Sequence, residues 1–405
     1  MKFAILTFGC RVNQADSFDL ETDLRSAGGE ETPVEEADVV LVNTCSVTAT
    51  AERAGRQAIR RVARVNPHAR VVATGCHVVR RPSDFATLPV AQLVARRDLA
   101  PSMVAFETNR ALPPPGTHGR TLYLLRVQTG CDERCTYCVV PSTRGRSCSL
   151  PIAEVNRRVM TAAAAGFKEL VMTGVHLGSW GRDLAPAQDL AALIRALAAN
   201  PASVGFRLSS LEPMNAGPVL IETLAAAGRF AHQFHLPLQH ASDRILATMG
   251  RRGTLDLFRR VVDCVRDRFP DAAIGTDLIV GFPGETPTDF DACTRFLASS
   301  PLTSAHVFPF SPRPGTAAAS LAGRPPGAEV RRRVAELRAI GADLGRRFRT
   351  RFIGTTHDGL TIDDGSLVLT RNGLRVSVPP GLGRNQRVKV RILTDGDPMM
   401  GELVL

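Results

Sequence analysis

TLYLLRVQTGCDERCTYCVV, residues 121–140, begins as an apolar run and ends in a loop that carries three cysteines. Leu122–Val127 reads as a β-strand closed by the turn residue Gly130. Cys131, Cys135 and Cys138 follow with the spacing C-x3-C-x2-C. Thiolate sulfur is the ligand that iron–sulfur clusters require, and a short loop can wrap several irons. Three cysteines leave one iron without a protein ligand, an open position where a substrate can coordinate. Zinc, held by three thiolates and one distant ligand, is the alternative that the spacing alone leaves open.

Downstream, the strand pattern repeats at Glu169–Met172, Gly205–Leu208, Gln233–Pro237, Ala273–Val280 and Ser304–Phe308. Helical stretches such as Asp189–Ala199, Leu255–Phe269 and Pro287–Ala298 lie between them. Six β–α repeats predict a partial (β/α)6 barrel. The cysteine loop follows its first strand, which places it at the C-terminal mouth, where barrel active sites sit. Residues 326–350 read as an arginine-rich helix. The tail then alternates short strands with turn signals at Asp364-Gly365 and Asn372-Gly373, which predicts a small antiparallel β-barrel.

Upstream, Phe3–Phe8, Asp38–Asn43 and Arg70–Thr74 are apolar strands, and Asn13–Ala27 and Ala49–Val65 are helical. That alternation predicts a parallel sheet with crossover helices. Pro113-Pro114-Pro115-Gly116 reads as a linker. Cys10, Cys45 and Cys76 each stand just beyond one of these strands, in FAILTFGC, VVLVNTC and VVATGC. The C-terminal ends of parallel strands share one sheet edge, so the three thiols are expected to converge there as a second cluster site. Three buried structural thiols are the plainer reading. Cys264 and Cys293 fall in helical patterns and read as bystanders; Cys148, after the cluster loop, is near enough to approach it.

The chain has 405 residues, 44% hydrophobic, with nine cysteines and a formal charge of +11. That length and apolar content support two or three packed domains rather than disorder. The excess positive charge favours a polyanion such as RNA, against a merely solvated basic surface. Arg144 and Arg146, beside the cluster loop, read equally as phosphate contacts or as surface residues. His176, His235 and His240 read as satisfied histidines with no metal partner in sequence. MKFAILTFGC runs straight into Arg11, Asn13, Gln14 and Asp16, so it reads as a first strand rather than a signal peptide. No apolar run is long enough to span a membrane. A cytoplasmic protein is expected, in which so many cysteines point to metal or redox chemistry.

C-x3-C-x2-C with Tyr137 before the last cysteine resembles the radical S-adenosylmethionine superfamily. The resemblance implies a [4Fe-4S] cluster whose open iron chelates S-adenosylmethionine and, with one electron, releases a 5′-deoxyadenosyl radical. TFGCRVNQAD, VNTCSVTATAE, TGCDERCTYCVVPSTRGRS, HLPLQHASDRILATMGRR, GTDLIVGFPGET and FPFSPRPGTAA extend the resemblance across the chain, to the radical methylthiotransferases. These insert sulfur at an unactivated C–H bond and methylate it. The implied cofactors are two [4Fe-4S] clusters, the second held by Cys10, Cys45 and Cys76, and S-adenosylmethionine as both methyl donor and radical source.

Domains are expected at 1–112 for the second cluster, 117–345 for the radical core and 346–405 for a TRAM-like RNA-binding barrel. By resemblance, Tyr137 of the cysteine loop and residues at strand ends hold S-adenosylmethionine: Thr173 and Gly174, then Ser209, Ser210 and Glu212, then Gln239 and Gly281. Each also reads as an ordinary loop or cap residue. No general acid or base is singled out.

The family divides by substrate. After its first cysteine the isopentenyladenosine group carries Gln-Met-Asn and the ribosomal-protein aspartate group Pro-Lys-Asn. Cys10 is followed by Arg11-Val12-Asn13-Gln14, which is similar to the Lys-Val-Asn-Gln of the threonylcarbamoyladenosine group, as is TGVHLGSWG at 173–181. Two departures stand out: His77-Val78-Val79 after Cys76, and Cys148 at a position often basic. The expected partners are a tRNA anticodon stem-loop, a flavodoxin- or ferredoxin-type electron donor and a sulfur donor, with the enzyme a monomer. A zinc-dependent RNA-binding protein is the reading from another class.

Overall fold

The computed structural model describes residues 1–95 and 112–404. Its first unit is a sheet of β1 (Lys2–Thr7), β2 (Glu30–Glu31), β3 (Val39–Thr44), β4 (Arg70–Gly75) and β5 (Gln92–Leu93). The order is β2-β1-β3-β4-β5 and every pairing is parallel. Helices α1 (Arg11–Ser26), α2 (Ala49–Val65) and α3 (Cys76–Arg80) follow β1, β3 and β4. Val40, Val42, Val71 and Ala73 pack with Ile59 and Val62 of α2 into one core. Strands buried on both faces explain the continuous apolar runs. Helix α2 starts where its N-cap Thr48 accepts the Ala51 N–H at 3.1 Å. It buries Glu52, Gly55, Ile59 and Val62 at helical spacing and leaves Arg53, Arg60 and Arg64 exposed.

The second unit runs through β6 (Tyr123–Arg126), β7 (Gln128–Thr129), α4 (Val140–Arg144), β8 (Cys148–Ser149), α5 (Ile152–Ala164), β9 (Glu169–Thr173), α6 (Leu190–Ala198) and β10 (Gly205–Leu208). It continues with α7 (Pro218–Ala227), β11 (Gln233–His235), α8 (Asp243–Thr248), α9 (Leu255–Arg268), β12 (Ala273–Val280), α10 (Pro287–Ser299), β13 (Ser304–Pro309) and α11 (Gly327–Thr350). Strands β6, β9 and β10 form one parallel sheet, and β11, β12 and β13 another. The parallel bridges Phe206–Phe230 and Ser210–His235 join them into an open six-stranded barrel. Strand β11 stops two residues short of the expected Pro237, because proline has no N–H to donate to a ladder. The β7–β8 ribbon was not anticipated; Gln128 pairs with Ser149 and Thr129 with Cys148, which clasps the two ends of the cysteine loop.

The tail is a closed barrel of β14 (Thr356–Ile362), β15 (Leu367–Thr370), β16 (Arg375–Ser377), β17 (Arg387–Thr394) and β18 (Met399–Val404), in the order β14-β15-β16-β18-β17. Both expected turns fall between strands. One pair, β16 with β18, is parallel. A ring with an odd number of strands cannot alternate direction throughout, so closure forces one parallel neighbour. Helix α11 is unbroken: Val334, Leu337 and Leu344 pack in the barrel core, and Phe348 in the tail's core.

Helix α1 joins the first unit to the second. Phe18 meets Tyr123 and Phe167 edge-on, with ring centroids 5.3 and 6.2 Å apart. Arg126 pairs with Asp16 at 3.1 Å and Asp19 at 2.9 Å across the same seam. No described helix is long and apolar enough to cross a membrane.

Candidate active site

Strands β1, β3 and β4 are neighbours, with Thr7 opposite Asn43 and Thr44 opposite Gly75. Cys10, Cys45 and Cys76 therefore leave one sheet edge side by side. Gly9 and Gly75 make that approach possible. Both have left-handed φ, +98° and +96°, and a Cβ on Gly9 would overlap Cys45, one on Gly75 the Thr44 backbone. Asn13 and Asn43 staple α1 to the end of β3: Asn13 Nδ2 donates to Phe8 O at 2.6 Å, and Asn43 Nδ2 to Asn13 O at 2.9 Å. Burial pushes the Cys45 thiol up to about 11, with Cys10 and Cys76 near enough to add to the rise.

The other three cysteines lie in a loop pinned from several sides. Thr136 N–H donates to Met249 O at 2.9 Å, Cys131 N–H to Gly145 O at 3.1 Å and Cys138 N–H to Cys135 O at 3.1 Å. Burial raises Cys131 to about 11 and Cys138 to about 12, and each thiol feels its neighbours. Three crowded thiols that hold their protons suit a soft cationic cluster, whose charge stabilises the thiolates. Arg251, which sequence reading missed, faces Cys135 and is ion-paired with Glu212. Its only signal in the sequence was its place in HLPLQHASDRILATMGRR.

Arg144 connects the two sets. It was expected to meet phosphate or solvent, yet only 3% of its side chain is exposed. The guanidinium donates to Asp16 Oδ2 and Asn13 Oδ1, both at 3.1 Å. Its helix, α4, begins two residues after Cys138, while Asp16 and Asn13 begin the helix after Cys10, so burial of this pair aligns the sets. Arg146 is 93% exposed.

A cavity of about 590 Å³ opens between the two units, within the usual range for small-molecule sites. One wall holds Cys10, Arg11, Cys45, Cys76 and Arg144. The barrel side supplies Thr173, Gly174, Ser209 and Ser210, all expected at a cofactor site. Ser209 Oγ is buried with no hydrogen-bond partner among the described residues, an unsatisfied donor that suits a polar cofactor group. The other expected contacts do not line this cavity. Glu212 is held by Arg251, and Tyr137 packs edge-on to Phe282 with centroids 6.4 Å apart. Gln239, at φ +74°, donates its N–H to Asp277 O at 2.8 Å. Gly281 donates its N–H to Glu285 Oε2 at 2.6 Å.

The histidines divide. His240 is buried, accepts the Ser242 N–H at 2.9 Å, and burial lowers it to about 4. His176 lies 2.9 Å from Asn215 Oδ1 and 3.9 Å from Cys131 Sγ. His235 lines the cavity with Asp277 and His306, a group whose ligand atoms lie within 4.8 Å of one another and which sequence distance concealed. Cys148 is exposed and Cys293 is buried against His240.

Residues 2–95 match the family described as Uncharacterized protein family UPF0004, and residues 125–297 the Radical SAM superfamily. The Threonylcarbamoyladenosine tRNA methylthiotransferase MtaB of Thermotoga maritima is 32% identical over 86% of this chain and 84% of its own. The tRNA-2-methylthio-N(6)-dimethylallyladenosine synthase of Chloroflexus aurantiacus is 34% identical over 88% of this chain and 80% of its own. The solved structure of the radical S-adenosylmethionine methyltransferase TsrM from Kitasatospora setae shares the fold, with TM-score 0.54 and 16% identity, covering 78% of this chain and 77% of that one. With relatives this similar over nearly the whole length, the chain belongs to the radical SAM methylthiotransferases, enzymes that use S-adenosylmethionine and a [4Fe-4S] cluster.

Proposed function

We propose that this enzyme converts N6-threonylcarbamoyladenosine, next to the anticodon of tRNA, to its 2-methylthio derivative. The observation that carries the chemistry is the shared cavity, with Cys10, Cys45 and Cys76 in one wall and the barrel's strand ends in the other. Cys10-Arg11-Val12-Asn13-Gln14 and the Thermotoga maritima relative support the choice of substrate.

In this reading Cys131, Cys135 and Cys138 hold one [4Fe-4S] cluster, and Cys10, Cys45 and Cys76 a second. When bound, these groups and S-adenosylmethionine supply a carbon radical that removes hydrogen from an unreactive C–H bond, and the sulfur that replaces it. The chain's own residues position and exclude. Ser209, Ser210 and Thr173 offer hydroxyls to the cofactor, and Arg144 holds the two cysteine sets together. The walls keep water from a radical that would otherwise be quenched. Residues 1–112, 117–345 and 346–405 then serve as sulfur, radical and RNA domains, with α11 running without a break across the last boundary. Electron and sulfur donors are the remaining partners.

Nucleoside mass spectrometry of tRNA from a deletion strain tests the substrate. Loss of the methylthio form of threonylcarbamoyladenosine is expected. Loss of the isopentenyl derivative instead, or unchanged tRNA with an unmodified ribosomal-protein aspartate, would overturn it. Anaerobic reconstitution tests the chemistry: about eight irons per chain are expected, about four after Cys10, Cys45 and Cys76 are changed to alanine. Tetrahedral zinc without cofactor cleavage would contradict it.

A further inference from the structure

Among the described residues Arg11 has no counter-ion. It occupies the first position of α1 and lines the cavity, and the charged groups its guanidinium feels, Arg207 and a protonated His306, are cations. The neighbouring arginines are all paired: Arg144 with Asp16 at 3.1 Å, Arg207 with Glu169 at 2.6 Å, and Arg251 with Glu212. Arg11 is exposed at the cavity, and the planar fork of an unpaired guanidinium matches a carboxylate.

Across the cavity, His306 and Phe308 project from one face of β13, two residues apart. His306 Nδ1 lies 3.3 Å from Asp277 Oδ1, and His235 Nε2 lies 3.0 Å from Asp277 Oδ2. The two imidazoles stack with centroids 5.4 Å apart. Each imidazole has a ring nitrogen within ion-pair distance of the one carboxylate. Asp277 favours the charged form of His306, and Arg11 is close enough to oppose it. Phe308 is 44% exposed, an open aromatic face in the wall.

We propose that Arg11 and His306 form a carboxylate-reading subsite that selects an adenosine whose N6 substituent carries an acid, with the base lying against Phe308. This rests on the threonylcarbamoyladenosine reading and deepens it. The threonyl carboxylate would complete the missing ion pair. An isopentenyl group in the same place would leave the guanidinium without that partner, so selection comes from the attraction that only the acid gains.

Three synthetic anticodon stem-loops test this, identical except for an unmodified, isopentenyl or threonylcarbamoyl adenosine. Binding to the anaerobically reconstituted enzyme is read by fluorescence anisotropy, without reductant. The wild type should prefer the threonylcarbamoyl loop over the unmodified one by about tenfold, the size of one good charged contact. Arg11→Met should reduce that preference to within about twofold, and Arg11→Lys should restore part of it. Iron content and affinity for the isopentenyl loop should be unchanged. Equal weakening of all three loops, or lost iron, assigns Arg11 to phosphate or cluster and overturns the subsite. A wild type that prefers the threonylcarbamoyl loop and an Arg11→Met variant that keeps the preference overturn the subsite alone. A wild type that prefers the isopentenyl loop overturns the substrate reading together with it.

Discussion

Asp277 works as the hinge of the cavity's polar wall because it faces two imidazoles at once. Those contacts hold it well below the usual carboxylate range, at about 2, and raise His306 above its ordinary 6.5. A raised histidine contributes stability that is fully present below 6.5 and lost as pH climbs through its folded value. A depressed aspartate contributes above 3.8 and loses it as pH falls towards 2. The pair is thus most effective from about pH 4 to the raised value of His306. In Asp277→Asn, the NMR titration midpoint of His306 should fall to 6.5 or below. The variant's deficit in melting temperature should be largest inside that window and shrink above it. A deficit that does not vary with pH would mean the pair contributes by packing, not charge. His306 is largely exposed, so solvent screening keeps the effect modest.

At the scale of elements, the second cysteine set depends on how closely three strand ends approach. Gly9 and Gly75 sit where a side chain would collide with the next strand and where φ disfavours any L-residue. Gly9→Ala or Gly75→Ala should strain the backbone by about 1–3 kcal/mol and spread the thiols. Iron and sulfide analysis after reconstitution should then show about half the wild-type load, the Cys131–Cys138 site still filling. Full loading would show that the sheet edge yields more easily than its packing implies. The barrel's cysteine loop is built differently, since the β7–β8 ribbon and Met249 hold it from outside.

At the scale of the whole molecule, the tail barrel carries a basic stripe. Arg387, Lys389 and Arg391 are exposed at alternate positions of β17, while Val390 and Ile392 point into the barrel. If this face meets tRNA phosphates, changing the three to glutamine should weaken binding to all tRNAs alike. It should also lower the slope of log affinity against log salt by about 0.9 for each duplex phosphate no longer neutralised. An unchanged slope would place the RNA elsewhere. The three-part architecture was legible because each part has its own period: continuous apolar runs in the parallel sheets, 3.6-residue spacing in the helices and alternation in the tail. The six cysteines were legible because three share one loop and three share one context, just past an apolar strand. Four expected cofactor contacts, Thr173, Gly174, Ser209 and Ser210, line the cavity. Tyr137, Glu212, Gln239 and Gly281 do not line it, and neither do Cys131, Cys135 and Cys138.

Sequence alone determined what depends on neighbours along the chain: strands, helices, turns, the spacing of Cys131, Cys135 and Cys138, and the strand-end position of Cys10, Cys45 and Cys76. Tertiary structure decided whatever depends on groups far apart in the chain. It buried Arg144 against Asp16, joined His235 to Asp277 and His306, and left Arg11 without an ion-pair partner among the described residues in a cavity shared by two units. The reason is physical. Propensity and periodicity act over a few residues, whereas the cost of a buried charge is set by whichever chain segments the fold brings against it.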